Sequence, residues 1–124
     1  MIMREIKFRA WDKQNNVMCD VELLGESVLK IKGGEWENRE DFIIMQVSGL
    51  KDKHGNEIYE GDIVKYGDTS HEVVFEQRNN AAYFGLVYSP VETRPFGHYQ
   101  DLRQIEIIGN IYENPELLEA GDGP

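Results

Sequence analysis

The sequence predicts a mainly β protein: a small barrel-like core, an N-terminal β-hairpin region and one short C-terminal helix. Three observations carry this. Apolar residues recur with a period of two along much of the chain, and clusters of Gly, Asn and Asp punctuate the runs. A single Asn-Pro signature near the C-terminus announces the helix. At 124 residues the chain fits one domain, and 40% hydrophobic with 29% charged residues argues against wholesale disorder. The expected division is residues 1–41 as hairpin region and loop, 42–112 as barrel core, and 113–124 as short helix and tail.

Arg4–Trp11 alternates Ile6, Phe8 and Ala10 with Glu5, Lys7 and Arg9, a strand with one apolar face. Asp12–Asn16, DKQNN, supplies a turn, because Asn and Asp tolerate left-handed backbone and bond locally. Val17, Cys19, Val21 and Leu23 then alternate with polar neighbours and Met18, which completes a hairpin. VLKIK from Val28 reads as a short strand, and GGEWENRED from Gly33 as a polar loop carrying Trp36. Phe42–Val47, FIIMQV, has the composition of a strand buried on both faces.

The stretch GLKDKHGNEIYEGDIVKYG, Gly49–Gly67, gathers four of the 12 glycines around four carboxylates, Asp52, Glu57, Glu60 and Asp62. Two tight turns account for it. The chain must reverse between Leu50 and Ile58, and Gly55 and Asn56 are residue types that accept positive φ. At Glu60-Gly61-Asp62 the glycine bends the chain, and Asp62 can bond backbone N–H groups where Ile63–Tyr66 begins. A Gly-Asp-Ile-Val start is similar to the entry strand of SH3-like barrels, so the predicted core is a small SH3-like barrel. The competing reading, a metal or acid–base site, lacks the alternating oxygen ligands of a calcium loop.

Beyond Gly67–Ser70, a further turn, His71–Gln77 alternates through Val73 and Phe75. A turn at Arg78–Asn80 leads into Ala82–Tyr88, with Phe84, Leu86 and Tyr88 on one face. Ser89–Leu102 holds two prolines and a glycine and reads as a long loop. Ile105–Ile111 is the last strand, with Gly109 a bulge or a close backbone approach. Asn114 and Pro115 give the N-cap and first-turn proline of a helix over Glu116–Ala120 that Gly121 ends.

Charge narrows the function classes. The net value is −10, and residues 41–124 hold 6 basic and 15 acidic groups against 7 and 8 in residues 1–40. An acidic body repels nucleic acid at long range, which disfavours general DNA or RNA coating. No stretch reaches the roughly 20 apolar residues of a membrane span, so no membrane partner is expected. The N-terminus places charges where a signal peptide needs an apolar run. Cys19 stands alone and reads as a small core residue. There is no phosphate-cradling glycine loop, zinc-binding helix or nucleophile elbow. His54, His71 and His98 are scattered. The expectation is no enzyme, no catalytic, metal or cofactor-binding residues, and no cofactor.

One face qualifies for partner binding. On the first strand Lys7, Arg9, Trp11 and Lys13 share the face opposite Ile6 and Phe8, three cations around an indole that suit an anionic surface. The expected partners are another protein or a second copy of the chain, with nucleic acid disfavoured by net charge. Non-enzymatic protein binding or assembly thus leads. A nucleic-acid-linked role, through this face or by acidic mimicry, and a carboxylate/His enzyme follow.

Three segments, REIKFRAWDKQNNVM, MQVSGLKDKHGNEIYEGDIVKY and IEIIGNIYENPELL, in this order and spacing, resemble the YopX family of bacteriophage and prophage proteins. The resemblance implies a β-rich, SH3-like barrel with an added N-terminal hairpin region, encoded by a phage and working in a bacterial cytoplasm. It transfers no activity and no catalytic residue. Val47-Ser48 departs from the family pattern, which has an aromatic and a threonine before Gly49-Leu50.

Overall fold

The computed structural model describes residues 7–78, 81–90, 92–95 and 101–121. Among them are eleven strands, one α-helix and two short 3-10 turns, in two compact units, Met1–Val47 and Ser48–Pro124. No helix is long and apolar enough to cross a membrane.

In the first unit the predicted hairpin forms from β1, Phe8–Asp12, and β2, Val17–Leu24. Asp12 holds its turn: Oδ1 accepts from Gln14 N at 3.0 Å and Asn15 N at 3.1 Å, and Asn16 adopts φ 55°. Next come β3, Val28–Ile31, β4, Trp36–Asn38, and β5, Phe42–Lys51. The antiparallel order is β4-β3-β2-β1-β5, so β1 has both edges paired. The expected polar loop around Trp36 is therefore partly strand, followed by a 3-10 turn, Arg39–Asp41, that Arg39 anchors through Nη1 to Gly25 O at 2.8 Å. Ala10, Leu29 and Phe42 form the core, with Cys19, Val21, Leu24, Ile31 and Ile44 packed against it.

The pairing of β2 with β3 shifts between Val21 and Leu23. Val21 pairs with Ile31 and Leu24 with Leu29, both on the core side, whereas Leu23 pairs with Lys30. The bulge breaks the period of two and turns Leu23, expected on the apolar face, outward.

The strand β5 runs on into the second unit, where β6, Glu57–Tyr59, is its neighbour. A five-stranded antiparallel sheet follows: β7, Asp62–Tyr66; β8, Thr69–Arg78; β9, Ala81–Ser89; β10, Glu92–Pro95; and β11, Ile105–Asn110. The order is β10-β9-β8-β7-β11. Ile58, Val64, Val73, Leu86 and Ile105 are fully buried in its core. Part of the expected long loop is thus the edge strand β10; residues 91 and 96–100, with His98, lie outside the described residues, as do residues 1–6, with the start of the predicted first strand, and the Asn79-Asn80 turn.

The expected closed barrel is not what forms. Among the described residues both sheets are open, each with two end strands. At one end of the five-stranded sheet a side chain replaces a strand ladder. Lys53 N donates to Ile105 O at 2.8 Å, and Ile107 N donates to Asp52 Oδ2 at 3.0 Å, so the turn after β5 covers the edge of β11.

The C-terminal signature folds as read, into α1, Glu116–Gly121. Gly109 is both bulge and close approach: the β11 register shifts beside it, and a Cβ there would lie 2.5 Å from Asn114 Oδ1. Asn110 Oδ1 accepts from Tyr112 N at 3.0 Å and Glu113 N at 2.9 Å, which turns the chain toward α1.

Candidate interaction surface

Trp36 is exposed, in keeping with its polar surroundings in sequence, but Trp11 is not on an open face. Trp11 is only 8% exposed, because β1 is interior to its sheet and both its faces are covered. Ala10 fills one face and Trp11 the other. Arg9 and Lys7 are half-buried and Lys13 is exposed in the hairpin turn, so no open indole stands among these cations. The aromatic platform expected at Lys7, Arg9, Trp11 and Lys13 is absent for that reason.

Trp36 is 53% exposed instead. It pairs with Lys30, and Lys30 pairs with Leu23, so Leu23, Lys30 and Trp36 form one row across three strands. Directly opposed residues point to the same side of a sheet. Val28, two residues from Lys30 and therefore on that side, is 37% exposed, and Leu23 is 53% exposed. The outer face of β2-β3-β4 thus carries three large apolar side chains around one lysine, beside the free edge of β4. Lys30 Nζ reaches Glu22 Oε2 at 3.2 Å, a solvent-screened pair that contributes little stability. The flanking exposed charges are mostly acidic: Glu22, Glu26, Glu35 and Glu40 against Lys32. A pocket of about 410 Å³ lined by Glu26, Asn38, Glu40 and Phe42, among others, shares Asn38 with this face.

Sequence reasoning missed this row because it rests on the bulge. The available signal was Leu23-Leu24, two adjacent apolar residues of which a strand can bury only one on each side, and a tryptophan among Glu and Asn.

Two carboxylates of the glycine-rich stretch, Asp52 and Asp62, accept from backbone N–H groups. Asp52 is 6% exposed, and its Oδ1 accepts from His54 N and Asn56 N, both at 2.9 Å. Burial pushes its carboxyl up, but the N–H groups of Ile107, Asn56 and His54 more than offset that, and it titrates below the usual carboxylate range. Asp62, 2% exposed, accepts from Tyr59 N at 2.8 Å, bonding back across the Glu60-Gly61 turn. Gly61 is left-handed at φ 88° and Gly55 at φ 85°, as their turns require. Asn56 is not left-handed; it closes its loop by accepting from Asp52 N at 2.9 Å. His54 and Lys53 both meet Glu106, at 3.2 and 3.6 Å, and hold its carboxyl below the ordinary value. His71 is buried, Nδ1 facing Val87 O at 2.9 Å and Nε2 facing Thr69 Oγ1 at 2.7 Å. Among the described residues no three His, Cys, Asp or Glu side chains gather to hold a metal ion.

Two open antiparallel sheets, an exposed apolar row at a sheet edge and a short terminal helix define, among the described residues, a small mainly β protein with an exposed apolar face. The chain belongs to the YopX family: the family model described as YopX protein matches residues 7–119. It is similar to the crystal structure of protein EF1440 from Enterococcus faecalis, at 29% identity and TM-score 0.68, over 94% of this chain and 99% of that one. No curated protein matches.

Proposed function

We propose that this chain is a non-enzymatic binding module, encoded by a phage or prophage and acting in a bacterial cytoplasm, that docks a protein partner on the outer face of β2-β3-β4. The observation that carries this is the exposed row of Leu23 and Trp36 with Val28 beside it, next to the edge of β4, an end strand among the described residues. Exposed tryptophan and leucine at a sheet edge are the ingredients of interface anchors, and a free edge accepts an added strand. The acidic flank selects the partner. A second copy docked face to face would set glutamates against glutamates, whereas an apolar socket rimmed by lysine or arginine is complementary.

The test compares wild type with Trp36→Ser and Leu23→Ser as tagged proteins in bacterial lysate at moderate salt. Both sites are solvent-exposed, so thermal stability should stay within about 0.5 kcal/mol of wild type. A partner with a basic binding face, held at 1:1 stoichiometry by wild type and lost by both variants, is the expected result. Equal capture by all three proteins sinks the assignment of this face, and self-association that depends on Trp36 replaces the partner with a second copy.

A further inference from the structure

A second site lies in the other unit and is independent of the β2-β3-β4 face. Its starting point is Glu72 on β8, a half-buried carboxylate with no hydrogen bond or ion pair among the described residues. It lines a pocket of about 360 Å³ together with Ser70, Val87, Tyr88, Pro90 and Leu118. Ser70 and Glu72, two apart on one strand, share a face. The helix α1 packs against β8 and brings Leu118 into the wall. The other polar groups nearby are already engaged. His71 bonds Val87 O and Thr69, its ring stands 4.2 Å from that of Tyr88, and Arg94 lies 3.9 Å over Tyr88 while its Nε bonds Glu92. Among the described residues no charged group of β7, β9, β10 or α1 is paired with Glu72.

The geometry points to a pocket for an organic cation, a primary ammonium or guanidinium on an alkyl stem, with Glu72 as counter-ion and Val87, Pro90 and Leu118 as the sleeve for the stem. The volume is that of a small-molecule site or of one long side chain. A lone carboxylate half out of water attracts a cation more strongly than a solvated one does, and the apolar walls suit methylene groups. An anion is repelled, a neutral apolar ligand only desolvates Glu72 further, and a hard metal ion needs more oxygen ligands than this wall offers. The shared chemistry has two sources, a free amine or a lysine or arginine side chain of another protein.

Burial alone raises the Glu72 carboxyl above its ordinary value. A carboxyl raised by folding favours the native state below about pH 4.3 and loses that advantage as pH rises through the raised value. Glu72→Gln should therefore melt higher than wild type at pH 7, with the gap closing below pH 4. Isotope-labelled protein titrated at pH 7 with pentylamine, agmatine and pentanol supplies the binding readout, from the amide shifts of Ser70, Glu72, Tyr88 and Leu118. Both amines should give saturable shifts, pentanol should give none, and Glu72→Gln should weaken the amines about 10-fold or more, as loss of one charge-assisted bond requires. In a further arm, Nα-acetyl-lysine methylamide binding tighter than pentylamine identifies a side-chain source, and the reverse order identifies a free amine. Equal binding of pentanol and pentylamine, amine affinity unchanged in Glu72→Gln, or a Glu72→Gln protein that melts lower at pH 7 overturns the assignment.

Discussion

Asp52→Asn is the sharpest test of how the second unit is held. In the wild type one carboxylate receives three backbone N–H groups, from His54 and Asn56 at 2.9 Å and from Ile107 at 3.0 Å, with the residue 6% exposed. Asparagine keeps the volume but turns one oxygen into a donor. If the remaining oxygen serves His54 and Asn56, the new NH2 faces the Ile107 N–H, and donor meets donor. A hydrogen bond to a charged group is worth about 1.5–3 kcal/mol, so the loss should be about 2–3 kcal/mol. Asp52→Ala strands all three donors. His54 and Asn56 are exposed and can rehydrate, which keeps that loss near 4 kcal/mol rather than the full sum. Urea unfolding followed by circular dichroism should show the Asn variant's midpoint lower by roughly 1 M at unchanged slope. The Ile107 amide should exchange faster with solvent. The effect is also pH-dependent with a defined sign. The native carboxyl is held below its ordinary value, so its contribution is complete above about pH 4 and is lost as pH falls through the lowered native value. The gap between wild type and Asp52→Asn should narrow below pH 4. A variant within 0.5 kcal/mol of wild type at pH 7, or a gap that widens in acid, refutes the reasoning (the threshold is the usual scatter of about 0.5 kcal/mol for neutral substitutions).

Gly109→Ala should lower stability by about 1–3 kcal/mol, because its Cβ would sit 2.5 Å from Asn114 Oδ1 and 2.9 Å from Leu117 Cδ1; thermal unfolding measures the loss, and unchanged stability would show that Asn114 can swing away freely. Gly55→Ala forces a left-handed alanine at φ 85° with open space around it, so strain alone should cost about 1–2 kcal/mol. Asn56→Ala, with no left-handed backbone to lose, should be nearly neutral in the same denaturation series. Burial first, then the charges of Asp12, Asp20 and Glu37, push the Cys19 thiol up; its alkylation by iodoacetamide at pH 8 should be slower than that of free glutathione and should accelerate in urea.

Much of the secondary structure was legible because its causes are local. Period-two alternation placed β1, β8 and β9, Asp12 with Asn15 and Asn16 marked the first hairpin, Asn114-Pro115 marked α1, and Gly109 stood out as a bulge or a tight approach. Side-chain type also determined that Gly55 and Gly61 sit at left-handed turns, since few other residues occupy that backbone cheaply.

What only the tertiary structure decided was which side of each strand meets a neighbour. Alternation separates two faces but does not say that both faces of β1 are covered, so it could not foresee a buried Trp11. A one-residue shift between Val21 and Leu23 reverses the phase of β2 and sets Leu24 opposite Leu29. Leu23 and Trp36 become one surface through pairings with Lys30 that no local rule contains. The carboxylates divide on the same ground. Asp52 is spoken for by Ile107, 55 positions away along the chain, while Glu72 is left alone in a pocket that Leu118 helps to wall. Sequence fixes the donors and acceptors each residue carries; long-range packing chooses which of them meet, and so which remain open to a partner.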